Sequence, residues 1–311
     1  MKKIIFVLLI LLVSLIGTKA YYYKYQYDDG KYYYLFSNET DTPFFIDSFP
    51  NMSFWRISKE DGTASVNQCN GYYRYNNSFD GELRIPETVC YEGKTYRIVQ
   101  IGEAAFYYGE KICSAIIPKS VKVIGQKAFW YTNLEKIKLP ENIELIMDNA
   151  FTETPIKELY IPSGKMAGSA ISGCKKLEVL ILGEDFKGFY NIGGGPYNPH
   201  NPQLTNIYCL SRIPPETGGL LYGPDAYMGL KKVRRIIHVP LGCKEAYANA
   251  EGWKEIGEDH IVDDINLEGI HHAQVKAQDS DAPTYDLQGR RVAHPKQGEI
   301  YIQNGKKYIN K

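Results

Sequence analysis

One motif recurs through the middle of the chain at a fixed period, and a period of that length dictates a stacked architecture before any local structure is considered. Ile101-Gly102-Glu103-Ala104-Ala105-Phe106, Ile124-Gly125-Gln126-Lys127-Ala128-Phe129 and Ile146-Met147-Asp148-Asn149-Ala150-Phe151 follow one another at 23 and 22 residues, while Pro118, Pro140 and Pro162 recur at 22 and 22. Ahead of each proline stands apolar-x-x-apolar-x-apolar: Ile112/Ala115/Ile117, Leu134/Ile137/Leu139 and Ile156/Leu159/Ile161. The pattern continues at Leu177/Leu180/Leu182, Leu204/Ile207/Cys209 and Ile237/Val239 and begins in weaker form at Leu83/Ile85, about seven rungs in all.

In a strand, residues two apart share a face. The fourth and sixth positions of the pattern therefore enter a core, and the third and fifth face outward. Proline ends the ladder pairing of each strand, and the Ile-Gly-x-x-Ala-Phe segment returns the chain. One rung cannot bury its own apolar face, but stacked rungs can. The expectation is a mainly β solenoid with a parallel sheet, flanked by small β modules. Segments 112–117, 134–139, 156–161 and 177–182 should lie side by side in that sheet, with Ile137 and Leu159 almost fully buried.

These rungs resemble the BspA-like leucine-rich repeats of exported proteins of Bacteroides and its relatives. Residues 112–129 and 134–151 carry the family's Leu-x-x-Ile-x-Ile-Pro and Ile-Gly-x-x-Ala-Phe segments, and Ser120-Val121 and Cys174 stand where the family places Ser-Val and Cys. The likeness runs from about 80 to 262. It departs from the consensus between 163 and 230, where Ala170-Ile171 replaces Ala-Phe and the runs Gly193-Gly194-Gly195-Pro196 and Asn198-Pro199-His200-Asn201-Pro202 lengthen the rungs, so regular stacking is not expected there. The resemblance implies a leucine-rich-repeat fold and an adhesive role at the cell surface.

Met1-Lys2-Lys3, the apolar run Ile4 to Ile16 and Thr18-Lys19-Ala20 have the order of a cleaved secretory signal over residues 1–20. The thirteen residues of this run, broken only by Ser14, reach only about 20 Å at about 1.5 Å each, short of the roughly 30 Å hydrocarbon core, which disfavours a membrane anchor. No stable span is expected after cleavage, and the expected location is secreted or cell-surface. Six cysteines at 69, 90, 113, 174, 209 and 243 form no CxxC, which disfavours a zinc knuckle or thioredoxin-like motif. Cys69 with Cys90 is the pair best placed to oxidise, whereas Cys174 and Cys209 occupy core positions of the repeat.

Residues 21–97 read as an N-terminal β cap leading into the first rung. It opens with Tyr21, Tyr22, Tyr23, Tyr25 and Tyr27 and, after Asp28-Asp29-Gly30, Tyr32, Tyr33 and Tyr34, two strands around a hairpin turn. The solenoid spans 98–264 and closes with Lys244 to Asp264, where 245–253 suggests a short helix ending near Gly252. Residues 265–282 read as a linker, and 283–311 as a small β tail. The tail, with Asp286-Leu287-Gln288-Gly289-Arg290 and Gly298-Glu299-Ile300-Tyr301, is similar to the C-terminal sorting domains of type IX secretion.

Chemistry is signalled mainly by absences. The 36 basic residues balance 36 acidic ones, and no basic run exceeds two residues, so nucleic acid is a poor partner. There is no HExxH, GxSxG, Walker motif or dinucleotide fingerprint, and no cofactor is expected. His271-His272 has no third ligand nearby, so no metal site is expected either. The outward fifth positions are Arg84, Ile116, Lys138, Tyr160, Ile181, Tyr208 and His238. The third positions beside them are Glu82, Ser114, Lys136, Glu158, Val179, Asn206 and Ile236. The mixture of Tyr, Ile and basic residues is that of a contact surface, with coverage by the cap, the tail or a loop as the alternative. The expected ligand-binding residues are Ile116, Lys138, Tyr160, Ile181, Tyr208 and His238, for an extracellular protein or glycan. The other class of function is a secreted glycan-active enzyme using Asp185, Glu216 or Asp225 in the irregular 185–230 segment.

Overall fold

The rungs that begin at Ile112 and Lys136 carry a front strand, a proline corner, a short back strand and a tight turn. The computed structural model describes residues 24–26, 32–34, 44–48, 52–68, 81–190, 201, 203–217, 235–267, 285–286, 290, 292, 300–303 and 306–309. The front strands begin with Gly81–Arg84, Ile112–Ile116 and Lys136–Lys138. They continue in the first halves of Glu158–Ala167 and Val179–Tyr190, then Asn206–Cys209, Ile236–Pro240 and Ile261–Ile265. All pair in parallel. The fourth-position residues Leu83, Ala115 and Ile137 align in one register, and Leu159, Leu180, Ile207, Ile237 and Ile261 in another.

The back face repeats the arrangement with shorter strands. Val66, Ile101, Ile124, Ile146, Met166 and Phe189 stand in one aligned column, all buried. Front and back columns thus close one continuous core. The return turns are stitched in the same way, with the N–H of Phe106, Phe129 and Phe151 donating to the carbonyls of Ala128, Ala150 and Ala170 at 2.7–2.8 Å. The three buried phenyl rings stack at centroid distances of 5.4 and 5.7 Å. At roughly 1.5 to 3 kcal/mol per large apolar side chain fully buried, these columns supply the stability that no single rung has.

The expected single sheet is interrupted. Ile112–Ile116 and Lys136–Lys138 form a three-stranded sheet with Gly81–Arg84, whereas Glu158–Ala167 and Val179–Tyr190 belong to a twelve-stranded sheet. No strand pairing joins Lys136–Lys138 to Glu158–Ala167. Ile137, beside this break, is half-buried rather than almost fully buried, while Leu159 on the other side is 1% exposed. The long strands are continuous because they bend through the corner instead of stopping at proline. A register shift falls after Ile161, Gly164 adopts φ +74, and the Ser163 hydroxyl donates to the Ile143 carbonyl at 2.6 Å. A Cβ at Gly164 would meet the Ile143 and Glu144 carbonyl oxygens at 2.5 Å. Val179–Tyr190 is a continuous twelve-residue strand, with two register shifts against Glu158–Ala167, inside the segment where regular stacking was not expected. Residues 191–200 and 218–234 lie outside the described residues.

At the N-terminal end, Met52–Ser58 and Thr63–Gln68 pair antiparallel, and the second of them joins Lys94–Ile101 in parallel, extending the back face. Lys24–Gln26 pairs antiparallel with Tyr32–Tyr34; the turn between them lies outside the described residues. At the C-terminal end the helix is Lys244–Asn249, shorter than expected, followed by a 3-10 turn Lys254–Ile256. Tyr247 and Trp253 are fully buried. Their polar tips donate to Ser211 O at 2.8 Å and Pro215 O at 2.7 Å, which anchors the closing segment. The linker starts later than residue 265, since Ile265 ends the last front strand and both Ile265 and Leu267 are buried. The tail is a three-stranded antiparallel sheet of Tyr285–Asp286, Ile300–Gln303 and Lys306–Ile309, with Tyr301 buried. The Arg290 backbone and guanidinium both donate to the Asp286 carboxylate at 2.8 Å.

Candidate binding surface

The strand period carries the fifth-position residues onto the outside of the front sheet. Arg84, Ile116 and Lys138 align in one register; Tyr160, Ile181, Tyr208, His238 and Val262 align in the next. The two runs differ in exposure. Arg84 and Lys138 are exposed and Ile116 is 41% exposed. Tyr160, Tyr208 and His238 are half-buried and Ile181 is 1% exposed, while Val262 at the end of the run is 38% exposed.

Ile181 is thus corrected from a surface residue to a core one. It belongs to a second apolar cluster with Val179, Leu210, Ile265 and Leu267, against which Tyr160 and Tyr208 pack. Leu210 follows its strand immediately, and Ile265 and Leu267 come from the end of the solenoid, so the molecule's own chain seals the middle of the outward face. Burial, with Glu141, Glu184 and Asp185 adding to it, pushes the Tyr160 phenol up from its ordinary range. His238 stacks on Tyr208 at 4.3 Å. Its Nδ1 donates to the Asp264 carboxylate at 2.9 Å, and its Nε2 lies 3.1 Å from Asn206 Oδ1. These contacts fix the imidazole between three neighbouring strands.

The remaining candidates are structural or fall outside the description. Cys174 is buried, its Sγ donates to Phe151 O at 3.1 Å, and burial pushes its thiol up to about 11. Cys209 is buried and shifted upward for the same reason, and such thiols are poor nucleophiles at neutral pH. Cys69, of the expected Cys69–Cys90 pair, lies outside the described residues, and Cys90 is an exposed free thiol. Glu216 pairs with Lys165 at 2.9 Å, Asp185 is exposed on its strand, and Asp225, His271 and His272 are not among the described residues. No group of three or more metal-ligating side chains occurs among the described residues. No helix among them is long and apolar enough to cross a membrane.

A different cluster went unread in the sequence. Tyr107, Tyr108, Trp130 and Tyr131 sit on two successive return turns and touch one another ring to ring. Their signal was present as the doublets following Phe106 and Phe129.

Comparison with known proteins agrees with this geometry. Residues 76–191 match the family described as BspA type leucine rich repeat region, in six copies. Over those residues the solenoid is similar to a leucine-rich-repeat array, and the front strands from Asn206 onward continue its parallel stacking. Among solved structures, the pneumococcal vaccine antigen PcpA is similar at 19% identity and a TM-score of 0.51, over 65% of this chain and 51% of that one. This protein therefore spans about half the antigen's length, and the likeness shows the fold alone. A leucine-rich repeat protein of T. pallidum is 20% identical over 53% of this chain and 70% of its own, with a TM-score of 0.42. One from Bacteroides ovatus is 20% identical over 63% and 65%, with a TM-score of 0.33. No curated protein matches the chain.

Proposed function

We propose that the protein is an exported, non-enzymatic repeat module that binds an extracellular protein through the early, open part of its front sheet. The observation that carries this reading is the aligned column Arg84, Ile116 and Lys138, which stays exposed beside a stretch that the chain itself covers around Ile181. An exposed isoleucine flanked by two cations is the composition of a contact patch with a polar rim. Lys136 lies on the same outward side, and Tyr160, Tyr208 and His238 continue the surface as a firmer, half-buried margin. Export rests on the leader pattern of residues 1–20. Display at the cell surface is supported by the likeness of the tail to sorting domains and by a similarly folded protein being a vaccine antigen.

The test is a solution binding assay of residues 21–311 against a panel of purified extracellular-matrix and host-surface proteins, with a glycan panel alongside. Ile116→Arg together with Lys138→Glu should weaken binding at least tenfold with unchanged melting temperature, since exposed substitutions alter stability by about 0.5 kcal/mol or less. Undiminished binding by the double variant would rule out this face.

A further inference from the structure

The return turns place their second residue after the buried aromatic or isoleucine in the left-handed region at four successive rungs: Tyr108, Tyr131, Glu153 and Gly173, with φ between 55 and 68. Gly173 meets that requirement without strain, whereas tyrosine is disfavoured there. The turn itself does not call for aromatic side chains. Both strained tyrosines belong to one cluster. Tyr131 is 40% exposed and stacks on Tyr108 at 4.9 Å and on Trp130 at 5.7 Å, each pair of planes within 15°. Tyr107 meets Trp130 edge-on at 5.5 Å, and Lys127 Nζ lies 5.1 Å from the Trp130 ring centre. None of the four rings belongs to the core cluster. Trp130 Nε1 is buried without an acceptor, so the cluster presents ring faces rather than the indole N–H. Left-handed non-glycine residues recur through these turns, at Ala104, Lys127, Asn149 and Glu153 as well, so what sets two of the turns apart is the mutually stacked rings they carry.

We infer that these turns form a second binding site, separate from the front sheet, for a neutral oligosaccharide. A pyranose presents an apolar C–H face within a rim of hydroxyls, and the site offers the complement. Offset, near-parallel rings make a stepped apolar shelf, the exposed Tyr131 carries a hydroxyl at its edge, and Lys127, Gln126, Glu110 and Asn133 lie beside the shelf in sequence. Tyr and Trp, amphipathic and stiff, suit a surface that must stay wet when empty.

The experiment titrates the full chain with cellohexaose, xylohexaose, laminarihexaose and mannohexaose, reading tryptophan fluorescence and heat. At least one sugar should bind saturably, and Trp130→Phe should remove the fluorescence change. Tyr131→Gly should lower affinity tenfold or more while the melting temperature stays within about 3 °C of the parent, because glycine relieves the left-handed strain. Tyr108→Gly, read the same way, provides an independent variant. The inference is overturned if none of the four sugars binds saturably or if both glycine variants bind like the parent.

Discussion

The early and late rungs obey one repeat, yet their outward faces have opposite fates. In Gly81–Arg84, Ile112–Ile116 and Lys136–Lys138 the outward positions are mostly charged or small, and they remain open to solvent. In Glu158–Ala167, Val179–Tyr190 and Asn206–Cys209 the fifth positions are aromatic or apolar, the third being Glu158, Val179 and Asn206, and Leu210, Ile265 and Leu267 cluster with Val179 and Ile181 against Tyr160 and Tyr208. The same strand register therefore serves binding in one half and closure in the other. The inward positions define the fold, and the outward ones decide which part of it can meet a partner.

The largest expected effect separates the two sides of the sheet break. Leu159→Asp strands a carboxylate in the core and should remove roughly 5 kcal/mol or more, enough to unfold the domain in a denaturant titration. Ile137→Asp, at the same repeat position but half-buried, should cost about 1–3 kcal/mol and leave a folded protein. Equal losses would mean that the break does not exist in solution.

The core was legible because strand period and proline spacing both act through local geometry. Inward residues such as Leu159, Leu180 and Ile207 follow from alternation alone, as does the alignment of Tyr160 with Ile181 and Tyr208. The exposure of Ile181 was not legible, since it depends on Leu210 and Leu267 crossing a face that alternation calls outward. Nor was the corner at Pro162–Gly164, where a strand continues past proline because Gly164 takes a left-handed turn between backbone carbonyls. The aromatic turns were overlooked because the repeat consensus assigns nothing to those positions.

Next in size is the outward pair at position five. Ile181→Ala should cost about 2–4 kcal/mol, as for a buried aliphatic side chain, against about 0.5 kcal/mol or less for Ile116→Ala. Chemical denaturation of both variants with unchanged m-values checks this. A smaller effect is expected from pH. Burial raises the phenol pKa values of Tyr160 and Tyr247 above their ordinary 10.0, so the folded state keeps protons that the unfolded chain loses. Stability should hold up to pH about 10 and fall above it. Tyr160→Phe should flatten part of that alkaline fall, and a profile identical to the parent would show that this phenol is not sequestered.

The contrast between an open and a sealed face is tested most directly by thiol labelling at the two isoleucines. Ile116→Cys and Ile181→Cys are labelled separately with a maleimide in the folded protein, and the modified peptides are resolved by mass from those of the native cysteines. The account predicts that residue 116 is modified nearly as fast as in the unfolded chain and residue 181 at least a hundredfold more slowly. Comparable rates at the two positions, in protein shown to be folded by its thermal transition, would contradict it.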